Sequence, residues 1–183
     1  HCLGNFLGGQ RAKTDARRRA GPQLDDVIFD GLPLARVAGA FAPGQHLTVR
    51  ARIGDADVRR SYSICSGAAD GTLRIAVKRC AGGVFSNYAN EHLKAGETLE
   101  VMPPLGHFGM PLDAGAVRHY VAFAAGSGIT PILSIVKSTL AAEPRSQFTL
   151  FYGNRASGSV MFREELAALK DTCMTRFNLV HVL

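Results

Sequence analysis

The sequence predicts two architectures in tandem: an antiparallel β-barrel, then an α/β domain built on a parallel sheet that breaks off at the C-terminus. Three observations predict this. Short β-type runs punctuated by turn residues fill the stretch from about Phe41 to Pro104. The texture changes after Leu112 to strands alternating with helix-length segments, the pattern of βαβ units. The last run, FNLVHVL, stops at Leu183 after three strands, whereas a doubly wound sheet normally continues.

In chain order, residues 1–22 carry little periodic signal and read as a weakly structured arm. Residues 11–19 hold Arg11, Lys13, Arg17, Arg18 and Arg19 against Asp15, a local net of +4 within a total of +6. The rest is close to neutral for its size, so a solvated arm is favoured over an acidic-partner contact and no nucleic-acid partner is expected. DDVIFDG is a possible first strand. HLTVRARI, DVRRSYSI, TLRIAVKR and TLEVMPP follow, separated by Gly54-Asp55, Asp70-Gly71 and Ala95-Gly96. Such evenly spaced runs favour a small barrel or sandwich, with one helix from Phe85 to Leu93 before the last of them.

In the second half, VRHYVAFAA, QFTLFYG and FNLVHVL are strands. ITPILSIVKSTL is a helix with a broad apolar face (Ile129, Ile132, Leu133, Ile135, Val136, Leu140). VMFREELAALK is a second helix, with Phe162, Leu166 and Leu169 at helical spacing and Ser159 as its expected cap. Glu164 and Glu165 read as its solvated face. The most apolar stretch, Tyr120 to Val136, is broken by Gly126, Ser127, Gly128 and Pro131 and is short for a bilayer span. No membrane segment is expected. Residues 1–22 lack the zones of a signal peptide, which makes a cytoplasmic chain the default. The chain begins at His1 rather than Met, so its start is expected to lie upstream or to have been removed. Cys2, Cys65, Cys80 and Cys173 form no CxxC pair, which argues against zinc, an iron–sulfur cluster or a disulfide framework. Cys65 reads as a buried small apolar residue.

Chemistry concentrates in a few segments. Arg60, Tyr62 and Ser63 in RSYSICS put a guanidinium, a phenol and a hydroxyl on one strand. That set suits a flavin: charge for its pyrophosphate, a ring to stack and a donor for the isoalloxazine edge. An ordinary exposed strand face has the same composition. AAGSGITP sets Gly126 and Gly128 at a strand tip where a helix begins, with Pro131 in place of a third glycine. Glycine permits close approach and the helix start favours phosphate, yet the pair alone is equally a ligand-free turn. Gly82, Gly83 and Ser86 make a second such turn, which by itself reads as a plain connection. Two phosphate-type turns in two domains call for two nucleotides, one nicotinamide laid against one flavin. His46 in PGQHL is a candidate for the flavin pocket, although a lone histidine at a strand end more often packs or faces solvent. His92, His107 and His119 lack metal-ligand spacing, and no GxSxG elbow supports a hydrolase.

Taken in order, PGQHL, RSYS, AVK, GGVFS, PLGHF, GSGITP and YGNR resemble the ferredoxin–NADP reductase superfamily, over about residues 36–183. Within it, RRSYSICS, EVMPPLGHFG and FTLFYGNR followed by MFREELAALKD are most similar to the reductase subunits of phenylacetyl-CoA epoxidases. The resemblance implies an FAD-binding barrel over residues 23–113 and an incomplete NAD(P)-binding domain over 114–183. It implies that Arg60 grips the FAD pyrophosphate, Tyr62 stacks on the ring and Ser63 bonds near the reactive nitrogen. Ala76, Val77 and Lys78 would meet the ribityl and phosphate portions, and Gly83, Val84, Phe85 and Ser86 the pyrophosphate. Thr130 would lie near flavin and nicotinamide, with Gly126 and Gly128 under the dinucleotide phosphates. Ser63, Tyr62 and Thr130 are thus the candidate catalytic residues, and His46, Ser61, Gly82, Ser127, Pro131, Asn154 and Arg155 complete the cofactor-binding set. Arg155, following the second strand, favours a 2′-phosphate and hence NADPH over NADH, against a plain surface arginine.

The implied reaction is hydride transfer from nicotinamide to flavin, then single electrons to an iron–sulfur carrier of an oxygenase component. Residues 1–35 match the family's opening strands poorly. The family's last cysteine motif and its [2Fe–2S] domain would lie beyond Leu183, so a shortened chain with impaired electron delivery is expected. A reductase of a ring-hydroxylating or steroid hydroxylase system, a flavohaemoglobin-like module and a binding-only fragment are the rivals.

Overall fold

The computed structural model describes residues 41–94 and 97–183, together with the backbone of three earlier strands. Two antiparallel sheets form the first half. One has β1 (Gln10–Lys13), β7 (Thr98–Val101), β4 (His46–Ile53) and β5 (Ala56–Ser63) in that order, and the other β2 (Asp15–Arg17), β3 (Asp26–Pro33) and β6 (Thr72–Lys78). A bridge between Ile64 and Ile75 ties the two together. Two short strands therefore fall within the segment expected to be a weakly structured arm. QRAK and DAR have no apolar alternation to betray them, and β1 pairs with β7 and β2 with β3. The remainder of that arm, including Arg18 and Arg19, and Cys2 lie outside the described residues.

The β4–β5 hairpin forms because a two-residue turn joins Ile53 to its partner Ala56, with Gly54 at φ 59 where a side chain would be strained. Leu47 and Val49 on β4, Val58 on β5 and Leu73, Ile75 and Val77 on β6 point inward by strand alternation. Helix α1 (Val84–Glu91) closes this core with Phe85 and Ala89. The strand expected over TLEVMPP ends at Val101, since Pro103 and Pro104 offer no ladder donor.

The second half is a parallel sheet in the order β10 (Phe177–Val182), β9 (Gln147–Gly153), β8 (His119–Ala125). Helix α2 (Ile129–Ala142) links β8 to β9 and is buried almost all round, as its run of apolar residues requires. Helix α3 (Arg163–Thr172) links β9 to β10. It begins later than expected, and Ser159 is not its cap. Ser159 instead bonds Ala156 O within the short turn Ser157–Ser159, Val160 and Met161 sink into the core, and Phe162 occupies the cap position at φ 57.

The two halves meet through small residues. Ala76 of β6 and Cys65, which is fully buried, join the core cluster that contains Ile129 and Ile132 of α2. The segment between β7 and β8 is held by Glu143, whose carboxylate accepts from the Asp113 amide at 3.1 Å, and also from Tyr120 OH at 2.9 Å and Ser146 Oγ at 2.7 Å. No helix among the described residues is long and apolar enough to cross a membrane.

Candidate functional site

Strand register sets the first cluster. His46 lies opposite Ser63, Leu47 opposite Tyr62, Thr48 opposite Ser61 and Val49 opposite Arg60. Opposed residues share a face, so Arg60 and Tyr62 stand on the side of Leu47 and Val49, Tyr62 against the barrel core and Arg60 exposed, and Ser61 and Ser63 on the other. Ser61 Oγ bonds Thr48 Oγ1 at 2.9 Å, which ties it to the sheet. Tyr62 is half-buried, its ring 5.6 Å from that of Phe85. Burial pushes its phenol up, with Arg60 opposing and Cys80 reinforcing, so the hydroxyl remains a donor at neutral pH. The exposed Arg60 guanidinium donates to the Arg59 carbonyl at 2.7 Å.

The turn into α1 adjoins this cluster. Gly82 sits at φ 71, and a Cβ on Gly83 would lie 2.3 Å from Ser86 Oγ. Ser86 accepts from the Cys80 amide and donates to Gly83 O, each at 3.3 Å, so its hydroxyl shapes the turn. No side chain caps α1, and the first intrahelical bond runs from Asn87 N to Gly83 O. The amides of Val84, Phe85 and Ser86 therefore precede the helix's own bonding and are left to an outside acceptor. Val77 points into the barrel core and Ala76 into the inter-half cluster, both paired to β3 through the ladder, with the Val77 carbonyl also accepting from Asn90 Nδ2 at 3.3 Å, while Lys78 is half-buried at the strand end.

A second cluster lies at the tips of β8 and β9. Gly126 takes φ 51 and opens the turn Gly126–Gly128 that enters α2, with Pro131 in the first helical turn. A Cβ on Gly126 or Gly128 would meet nothing within 4 Å, so packing is not what requires two glycines there. Thr130, 7% exposed, donates to Ser127 O at 2.9 Å. At the end of β9 the Asn154 amide hydrogen-bonds Val182 O, while both polar atoms of its side chain are buried with no partner. Arg155 beside it is exposed. The open glycine turn, the orphaned Asn154 side chain and the uncapped start of α1 fit two anionic nucleotides.

Sequence reasoning missed several supports of this site. Tyr152 is fully buried, and its hydroxyl donates to Gly126 O at 3.0 Å and accepts from Met161 N at 3.2 Å. Its place in YGNR gave no hint of that. Glu165, expected on a solvated face, is instead turned inward to Arg74 and Lys137, because the start of α3 lies beside β6 and α2 at that point.

An antiparallel barrel with an anion-ready helix, joined to a parallel sheet with a glycine turn at its strand tips, defines a two-domain flavin and nicotinamide oxidoreductase fold. Residues 31–110 match the oxidoreductase FAD-binding domain and residues 123–183 the oxidoreductase NAD-binding domain. The chain belongs to the ferredoxin–NADP reductase family. It is 54% identical over 140 residues to a subunit of the 1,2-phenylacetyl-CoA epoxidase of Escherichia coli (strain K12), covering 76% of this chain and 39% of that one. It is 42% identical over 148 residues to the ferredoxin reductase component of 3-ketosteroid-9-alpha-monooxygenase of Rhodococcus rhodochrous, covering 79% and 40%. The chain thus spans about two fifths of the length of these curated relatives. Among solved structures, ferredoxin-NADP+ reductase from Plasmodium falciparum shares the fold at a TM-score of 0.81 and 18% identity, covering 99% of this chain and 76% of that one. Phthalate dioxygenase reductase does so at 0.73 and 28%, covering 95% and 52%.

Proposed function

We propose that this chain takes hydride from a reduced nicotinamide nucleotide onto FAD and passes the electrons to an iron–sulfur carrier serving an oxygenase, with phenylacetyl-CoA epoxidase as the specific system. The observation that carries this reading is the pairing of two anion-ready turns, one in each half, across the contact of Ala76 with the Ile129 cluster. The 54% identity to the epoxidase chain favours that oxygenase over the steroid system, where identity is 42%.

When bound, FAD supplies the conversion of a two-electron donor into one-electron deliveries. The chain's residues bind and orient. Arg60 and the amides of Val84, Phe85 and Ser86 would hold the pyrophosphate, Gly82 and Gly83 giving it access. Tyr62 would cover one ring face, with Ser63 and His46 paired at the strand end beside it. The backbone of Ala76, Val77 and Lys78 would line the remainder. Gly126, Ser127 and Gly128 would admit the nicotinamide nucleotide's phosphates, Thr130 and Pro131 would start the helix beneath them, and Asn154 would satisfy its orphaned amide on that nucleotide. Arg155 would meet a 2′-phosphate, which makes NADPH the preferred donor.

Absorption spectra of the purified chain with FAD, before and after anaerobic NADPH, test this reading. A flavin spectrum that bleaches on NADPH is expected, and Arg60→Ala and Tyr62→Ala should each weaken flavin retention by about 10-fold. Protein that takes up no FAD would refute it. Reconstitution with each oxygenase then separates the epoxidase from the steroid system.

A further inference from the structure

Four charged side chains bridge the two halves at one point. The Lys137 ammonium, on α2, donates to Asp70 Oδ2 at 2.5 Å and to Glu165 Oε1 at 2.9 Å. Glu165, on α3, accepts from Arg74 of β6 at 2.6 and 2.5 Å through its two oxygens. Their side chains are 15–28% exposed. Two cations and two carboxylates balance. Burial opposes the Lys137 charge, but hydrogen bonds to Asp70 and Glu165 outweigh it and raise its pKa.

The surroundings are built around this point. Asp70 is held by the Gly67 amide at 2.9 Å, and a Cβ on Gly67 would lie 3.0 Å from Lys137 Cβ, so the loop lies flat on the lysine stem. The adjacent Ala68 amide donates to Ser138 Oγ at 2.9 Å. Arg74 also stacks over the Phe162 ring, 5.7 Å from its centre, and Phe162 holds φ 57. Such a backbone persists only where its surroundings over-determine it.

Beside this cluster, the first half meets α2 through small groups, with Ala76 and Cys65 in the cluster of Ile129 and Ile132, Gly44 under Ile135, and the Ala68 amide bonded to Ser138. Small groups on the first half's side give the isoleucines of α2 few notches that fix one register. Charged pairs in such a setting add little adhesion, because desolvation offsets attraction, yet they satisfy one another in a single register only. Lys137 lies seven residues, about two turns, beyond Thr130 on the same face of α2. Arg74 precedes Ala76 by two residues on one face of β6. The ion cluster thus grips the two elements that carry the nucleotide turn and the flavin wall.

We propose that Lys137 is a positioning residue which, with Asp70, Glu165 and Arg74, sets the register of α2 on β6 and so aligns the nicotinamide site with the flavin site. This rests on the flavin–nicotinamide reading above. It concerns alignment, not the affinity of either cofactor.

The test compares Lys137→Met, Lys137→Arg and Glu165→Gln in the full chain. FAD affinity, the single-turnover rate of flavin reduction by NADPH, and hydrogen exchange at the Gly67 and Ala68 amides are measured. Lys137→Met and Glu165→Gln should slow reduction about 10-fold or more, since misalignment by an ångström is that costly. FAD affinity should stay within about 2-fold, Lys137→Arg should restore most of the rate, and the two amides should exchange about 10-fold faster in the Met variant. Unchanged rates, or a fall in rate that merely follows lost FAD, overturn the proposal. Should Lys137→Met not fold, Glu165→Gln and Lys137→Arg decide the matter on the same readouts. If the wild-type chain is not reduced by NADPH, the flavin–nicotinamide reading fails separately. Exchange then decides the register lock by itself: protection lost in the variants upholds it, and unchanged protection overturns it.

Discussion

Glu143 shows how one residue organises chain it barely neighbours. Its side chain is fully buried, and a lone carboxylate there would be costly. Burial raises its proton affinity, but Ser146, the Asp113 amide, Tyr120 and Arg118 together outweigh this and hold the carboxyl below its ordinary value of 4.5. A depressed carboxyl pKa contributes stability above the unfolded-state value, which is lost as pH falls through the folded-state value. Glu143→Gln is therefore expected to cost about 1–3 kcal/mol at neutral pH. The gap to wild type should close as pH drops below 4.5, read from denaturant unfolding at stepped pH. A gap that stays constant would show that the charge is not what matters. Nothing in AAEPRSQ distinguishes this glutamate from a surface one, since its partners stand up to 30 residues away.

At the scale of elements, local pattern carried most of the reading. The bounds expected for HLTVRARI and QFTLFYG coincide with β4 and β9, because alternation and flanking turn residues were both present. Helix α3 slipped by three residues because a core anchor, not a capping hydroxyl, starts it. The glycine turn before α2 was legible from two glycines set between a strand tip and a helix start, whereas its buttress was not. Tyr152→Phe leaves the Gly126 carbonyl and the Met161 amide without that hydroxyl. We expect a loss of about 1–3 kcal/mol in stability and weaker NADPH binding with flavin retention unchanged, followed by thermal melts and by titration of each cofactor. Equal loss of flavin would contradict this local role.

At the scale of the whole molecule, one sheet face stands open. Val121 is 55%, Phe123 75% and Val182 52% exposed, and Phe123 stacks on Phe151 with ring centres 5.0 Å apart. β8 and β10 are the two edges of their sheet among the described residues. An apolar face beside an unpaired edge promotes association. The chain as given should self-associate with rising concentration in sedimentation experiments, and Phe123→Ser should shift the equilibrium towards monomer. Sedimentation indistinguishable between the two would dismiss the face as a contact surface.

Local sequence was enough for the order of strands and helices from DVIFDG onward, the change from antiparallel to parallel texture and the two glycine turns. Each follows from side-chain periodicity or from glycines at a strand-to-helix junction over a few neighbouring residues. It took the assembled fold to establish that QRAK and DAR pair as strands, that Glu165 turns inward, and that Asp70 meets Lys137 from 67 residues away and Arg74 meets Glu165 from 91. Those meetings depend on how β6, α2 and α3 are brought together in space, and no local pattern of charge encodes which distant partner it will face.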